Sequence, residues 1–267
     1  MTGGEDPREI WARLSRLTPA RIGLGRAGSG LPTREVLRFG LDHAQARDAV
    51  HTPMDGDAVA RGIEALGLPT VRVASRAADR AAYLRRPDLG RRLAPQDQAT
   101  LEAAEPPDLA LVVADGLSAR AIHEGAAPLL AAFRAHAQRA GWRLGPVVVA
   151  QQARVALGDE IGAALRARAV AVLIGERPGL SAPDSLGIYL THAPRMGRTD
   201  AERNCISNVR AAGLGYDLAA FKLTWLLERA LSLGLTGVRL KDESDCALAA
   251  APAAPPLADT FGGSGRA

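Results

Sequence analysis

The sequence predicts an α/β fold: an open, mostly parallel sheet with helices on both faces, preceded by a smaller helical N-terminal part. Three observations predict it. Unbroken apolar runs recur at "DLALVVA" (108–114), "VVVA" (147–150) and "VAVLIG" (170–175), the pattern of strands buried on both faces. Segments with apolar spacings of three and four lie between them, so strand and helix alternate. A hydrophobic content of 47% over 267 residues supports one substantial core. Together these describe a doubly wound, Rossmann-like sheet.

The first element, "PTREVLRFGLDHAQARDAV" (32–50), reads as an amphipathic helix through Val36, Leu37, Leu41, Ala44 and Ala46, with Thr33 as its cap. A second helical stretch from Asp57 to Leu66 leads into "TVRVA" (70–74), whose alternation suits a half-exposed strand. The basic segment "YLRRPDLGRRL" (83–93) then interrupts the pattern, with turns at Pro87 and Gly90. From residue 108 the order is strand, turn, and a helix capped by Ser118, then the strand "VVVA", the helix "GDEIGAALRARA" (158–169) and the third apolar strand. A fourth strand, "LGIYLT" (186–191), is followed by a long loop to about residue 212 and the helix "YDLAAFKLTWLLERALSLG" (216–234). The end of the chain is rich in Ala, Pro and Gly and reads as a disordered tail. The expected division is an N-terminal helical or mixed part (1–105), an α/β domain (106–245) and the tail (246–267).

Composition narrows the function. No apolar run reaches the length of a membrane helix, and the opening "MTGGEDPREIW" lacks the basic-then-apolar order of a secretion signal, so the expectation is a cytoplasmic protein. Cys205 and Cys246 form no CxxC pair and are expected as thiols. The net charge is +4, but the 33 basic residues are scattered arginines apart from Lys222 and Lys241, and aromatics make up only 4%, which argues against nucleic acid as a partner.

In an open parallel sheet, ligands gather beyond the carboxyl ends of the strands. Three turns occupy that rim: "ADGLS" (114–118), "QQARV" (151–155) and "GERPGLSAPDS" (175–185), with "THAPRMGRTDAERNCISNVR" (191–210) expected to join them. Asp115, Ser118, Arg154 and Glu176 are candidate site residues on that ground. Asp115 equally suits an Asx turn, and Glu176 a surface pair with Arg177.

No catalytic engine stands beside these turns. "GLGRAG" (23–28) matches G-x-G-x-x-G, but no apolar strand precedes it. No G-x-S-x-G elbow occurs, and the five histidines show no metal-ligand spacing, so neither a catalytic residue nor a metal ligand is named. Cys205 with His192 would suit a thiolate pair, which leaves a stand-alone α/β enzyme with Cys205 as nucleophile as one reading.

The segments "LTPARIGLGRAG", "YLRRPDLGRRL", "LVVADGLSA", "ARVALGDEIG", "VLIGERPGLSAPDSLGIYLTHAPR" and "RTDAERNCISNVR" closely resemble the small subunit of adenosylcobalamin-dependent ethanolamine ammonia-lyase, from about residue 7 to about 241. The resemblance implies a subunit that completes a cobalamin site at the interface with a large subunit. That large subunit, a (β/α)₈ barrel, would hold ethanolamine. It implies radical conversion of ethanolamine to acetaldehyde and ammonia, with the hard chemistry supplied by the cofactor. It implies contact with the partner through residues 1–105. Residue by residue, it carries cobalamin contacts onto Val155, Glu176 and Cys205. Some members of the family have a long N-terminal extension linked with packaging into a bacterial microcompartment; here the resemblance starts near residue 7.

Overall fold

The computed structural model describes residues 6–18, 20–101 and 105–250. Its centre is a six-stranded sheet in the order β1-β3-β2-β4-β5-β6, made of β1 (Thr70–Ala74), β2 (Leu109–Ala114), β3 (Val147–Gln151), β4 (Ala169–Gly175), β5 (Leu186–His192) and β6 (Asn204–Val209). The first four run parallel, and β5 and β6 add antiparallel to β4. The order departs from a Rossmann sheet: β2, β3 and β4 follow the 2-1-3 pattern of the flavodoxin-like arrangement, with its switch point between β2 and β4.

Period-two alternation divides the strand residues between two cores. On one face, Leu109, Leu111 and Val113 of β2 and Leu173 of β4 pack under α3 (Gly56–Glu64), α5 (Ala119–Ala140) and α7 (Tyr216–Leu233). On the other, Ala110, Val112, Val170 and Val172 pack against Leu157 and Ile161 of α6 (Leu157–Ala164), with Leu93 and Leu101 from the segment after α4 (Arg80–Arg85). The second cover is incomplete. α6 packs mainly on β2 and β4 and reaches the entry of β6 through Asp159, while α7 backs β5 and β6 from the opposite face. The α6-side face of β5 and β6, carrying Gly187, Tyr189, Cys205 and Ser207, has no helix packed along it among the described residues.

Helix ends follow local chemistry. Ser118 caps α5 by accepting from the Ala121 amide at 3.2 Å, and Gly141 closes it in the left-handed region at φ 67°. Asp55 and Asp79 cap α3 and α4 in the same way. Thr33, expected as a cap, is instead the first residue of α2 (Thr33–His51), which starts after Pro32 without a side-chain cap.

Two expectations about the sheet need correction. β5 is antiparallel because only residues 176–185 separate it from β4, too few for the helical crossover that a parallel strand requires. The stretch read as one long loop to residue 212 contains β6. It is an edge strand with mainly Ile206 and Val209 facing inward, and it gives a weak apolar signal.

The N-terminal part is helical at α1 (Pro7–Leu14), α2 and α3, but β1 belongs to the main sheet, so the chain before residue 105 contributes to it. The glycine motif at 23–28 lies between α1 and α2 rather than after a strand. At the other end, α8 (Ser244–Ala250) covers the start of the segment read as a tail, and residues 251–267 lie outside the described residues.

Candidate functional site

The rim turns meet at the switch point, and they divide into residues that face inward and residues that face the open side. Asp115 is 2% exposed and accepts from the amides of Gly116 (3.0 Å), Gln152 (2.9 Å) and Ala153 (2.9 Å), with Arg80 at 3.7 Å. Burial raises its pKa, while the amide donors and Arg80 oppose that shift. Its carboxylate ties the turn after β3 to the turn after β2.

Ser118 is fully buried. Besides capping α5 it donates to the Pro183 carbonyl at 2.7 Å, anchoring the β4–β5 hairpin. Gly116, at φ +54°, and Gly175 are forced by backbone contact: a Cβ on Gly175 would lie 2.1 Å from the Ser118 carbonyl oxygen. Asp115 and Ser118 are thus spent on joining the rim.

Val155, Glu176 and Cys205 surround Tyr189 on the open face. Val155 and Tyr189 line both of two adjoining clefts, of about 560 and 160 Å³, and Glu176 lines the smaller. Glu176 is half-buried and accepts from Ser185 Oγ (2.6 Å), Ser207 Oγ and the Asn208 amide (3.2 Å). Three donors leave one of its roughly four acceptor sites free. Gly187 lies close beside it: a Cβ there would stand 2.9 Å from the carboxylate, so the side chain of Glu176 would have to shift.

Cys205 pairs across the sheet with Tyr189. Its side chain is exposed, yet desolvation, and then the negative Glu176, pushes the thiol pKa up. A thiol held above its ordinary pKa is a poor nucleophile at neutral pH.

Arg154 lines both clefts. Its guanidinium lies over the buried Tyr83 ring at 4.6 Å, as that of Arg80 does at 4.7 Å, and donates to the Tyr83 carbonyl at 3.0 Å. Tyr83 itself donates to the Ala153 carbonyl at 3.3 Å, and burial pushes its pKa to about 12.

The far end of the larger cleft was not anticipated. Because β5 is antiparallel, the loop after it leaves at the amino edge, where the Ala193 amide meets the Arg168 carbonyl at 2.8 Å. The expectation that this loop joins the carboxyl rim holds only for its far end, where Ser207 and Asn208 reach Glu176. Here Arg203 forms a buried fork with Asp159, both contacts 2.7 Å, and Arg92 pairs with Glu160. Sequence spacing carried no sign of the Asp159–Arg203 pair, since the two residues come from a helix and a strand entry far apart in the chain.

Among the described residues, neither cleft is lined by a histidine, lysine or cysteine. Their walls combine arginines with the carboxylates of Asp159, Glu160, Asp200 and Glu176 and the ring of Tyr189.

The family described as "Ethanolamine ammonia-lyase light chain (EutC)" matches residues 8–241. The chain belongs to that family. Similar proteins are the "Ethanolamine ammonia-lyase small subunit" of Xanthomonas campestris pv. campestris, 55% identical over 90% of this chain and 90% of the relative, and that of Rhodopseudomonas palustris, 57% identical over 86% and 89%. The same-named subunit of Bradyrhizobium diazoefficiens is 56% identical over 89% of this chain and 92% of the relative. The match takes in every turn of the rim.

Proposed function

We propose that this chain is the small subunit of an adenosylcobalamin-dependent ethanolamine ammonia-lyase, and that its open β5–β6 face completes the cobalamin site against the large subunit. The observation that carries the reading is the convergence of Val155, Glu176 and Cys205, from three separate segments, around Tyr189 on a sheet face along which no helix packs among the described residues. The residues suit the cofactor. A face bearing Gly187 and small side chains accepts a broad, flat ring system, Glu176 has acceptor capacity for amide donors of a corrin, and Arg154 Nε is buried without a hydrogen-bond partner.

Bound adenosylcobalamin supplies the radical chemistry that converts ethanolamine to acetaldehyde and ammonia. This chain's residues bind and orient. Val155 and Cys205 offer apolar and soft contact, Glu176 accepts hydrogen bonds, and docking of the partner excludes water from the clefts. Ethanolamine is held mainly by the large subunit, in keeping with clefts that no histidine, lysine or cysteine among the described residues lines. No helix among the described residues is long and apolar enough to cross a membrane, and the complex is proposed to work in the cytoplasm.

The large subunit is expected on residues 1–105 as well. Trp11, Leu17, Val36, Leu37, Phe39 and Leu41 are large apolar side chains exposed on and around α1 and α2, an uncommon concentration for a free surface. The stand-alone reading, with Cys205 as nucleophile, is disfavoured by the raised thiol pKa.

The test is co-expression with the large-subunit candidate encoded beside this chain, followed by an acetaldehyde assay with adenosylcobalamin and ethanolamine. Product only when both chains are present supports the shared site. No complex and no cobalamin binding would sink it.

A further inference from the structure

The larger cleft is walled by arginines, and most of them are already neutralised. Arg203 forks onto Asp159, Arg92 pairs with Glu160, and Arg198 pairs with Glu202. Arg154 is different: it lines both clefts, forms no ion pair among the described residues, and keeps Nε buried without a partner. Arg91, on the same wall, and Arg177, on the smaller cleft, are likewise without a carboxylate. A cation held in place by its neighbours and left without a counter-ion is a receptor for an anion.

Arg154 is fixed before any ligand arrives. Its guanidinium lies on the Tyr83 ring, its Nη2 donates to the Tyr83 carbonyl, and its own amide donates to the Gly90 carbonyl at 2.8 Å. The side chain therefore loses little further freedom on binding, and its remaining donors point from a planar fork that suits the oxygens of a phosphate.

Cobalamins carry one permanently ionised acidic group, the phosphodiester that links the corrin's side arm to the nucleotide. We propose that Arg154 is the phosphodiester receptor of this site, at the junction of the two clefts, with Arg91 adding to the positive field. This rests on the cobalamin reading and deepens it, because it assigns to one arginine the anionic group that cobalamin has and cobinamide lacks.

Two probes isolate the charge. Cyanocobinamide lacks the nucleotide and the phosphate, and cyanocobinamide phosphate differs from it by the phosphate alone. Equilibrium dialysis against the co-expressed complex, read by corrin absorbance, should show the phosphate form held about tenfold more tightly, the worth of one charge-assisted hydrogen-bonded pair. Arg154→Met should close that gap to within about twofold while cyanocobinamide binding itself changes little. Arg154→Lys should keep part of the gap, having the charge without the fork.

If Arg154→Met weakens both probes alike, the residue only packs on Tyr83 and the inference fails. It fails as well if the unaltered complex does not distinguish the two probes. Absence of binding by cyanocobalamin itself would overturn the cobalamin reading and this inference together, an outcome distinct from either.

Discussion

Asp115 and Glu176 stand at the ends of adjacent strands, each after an apolar run and each beside a glycine, yet they serve opposite sides of the rim. Asp115 is enclosed by backbone amides of the turns after β2 and β3, whereas Glu176 is half-buried and bonded to Ser185, Ser207 and Asn208 beside the open sheet face. The connection leaving each strand separates them. β2 leads into a long helix whose first turn seats under Gly175, so its carboxylate is closed in. β4 leads into a hairpin, and among the described residues no helix packs along the α6 side of the partner strands. A carboxylate at a strand end is therefore a scaffold or a contact according to its connection, and not its residue type.

Breaking the inner side should have the largest effect. Gly175→Ala drives a methyl group into the Ser118 and Asp115 carbonyls, and its cost is expected at about 3 kcal/mol, read from the urea midpoint. Next comes Asp115→Ala, which leaves buried amides and Arg80 unpaired and should cost about 2 kcal/mol by the same measurement. The outer side should respond in the other coordinate. Glu176→Ala should move the urea midpoint little and weaken cobalamin retention by the complex about tenfold. A stability loss equal to that of Asp115→Ala, with retention unchanged, would erase the contrast between the two carboxylates.

Smaller effects test the edges of the outer face. Alkylation of Cys205 by iodoacetamide in the isolated chain should be slow at pH 7 and accelerate only above the ordinary thiol range, because its pKa is raised. Rapid reaction at pH 7 would restore the nucleophile reading. At the amino edge, Glu202 accepts from the Thr199 amide and Arg198, which hold its pKa at about 2 against an ordinary 4.5. The folded value is the lower one. Its contribution is thus complete above pH 4.5 and lost as pH falls towards 2, and Glu202→Gln should flatten the urea-midpoint profile over that window.

Much of this was legible in the sequence. The three apolar runs became β2, β3 and β4, Ser118 capped α5 as its position before the helix implied, and the rim turns met at one edge. The direction of β5 was legible too, in a connection that lacks helical spacing, but alternating strands and helices invite a parallel reading. β6 was hidden because an edge strand buries one face only. The inward role of Asp115 and Ser118 depends on amides and a carbonyl contributed by other turns, and the Asp159–Arg203 fork depends on a register between helix and strand. Neither leaves a local pattern.

The open face also bears on the order in which the sheet assembles. β4, β5 and β6 succeed one another as a meander, so their pairing closes short stretches of chain and forms early. β1 can pair only with β3, Thr70 against Val147, and it leaves the ribosome long before that partner exists. Through that interval its valines have no strand to pair with, whereas the β4–β6 meander can close as soon as its own residues are made.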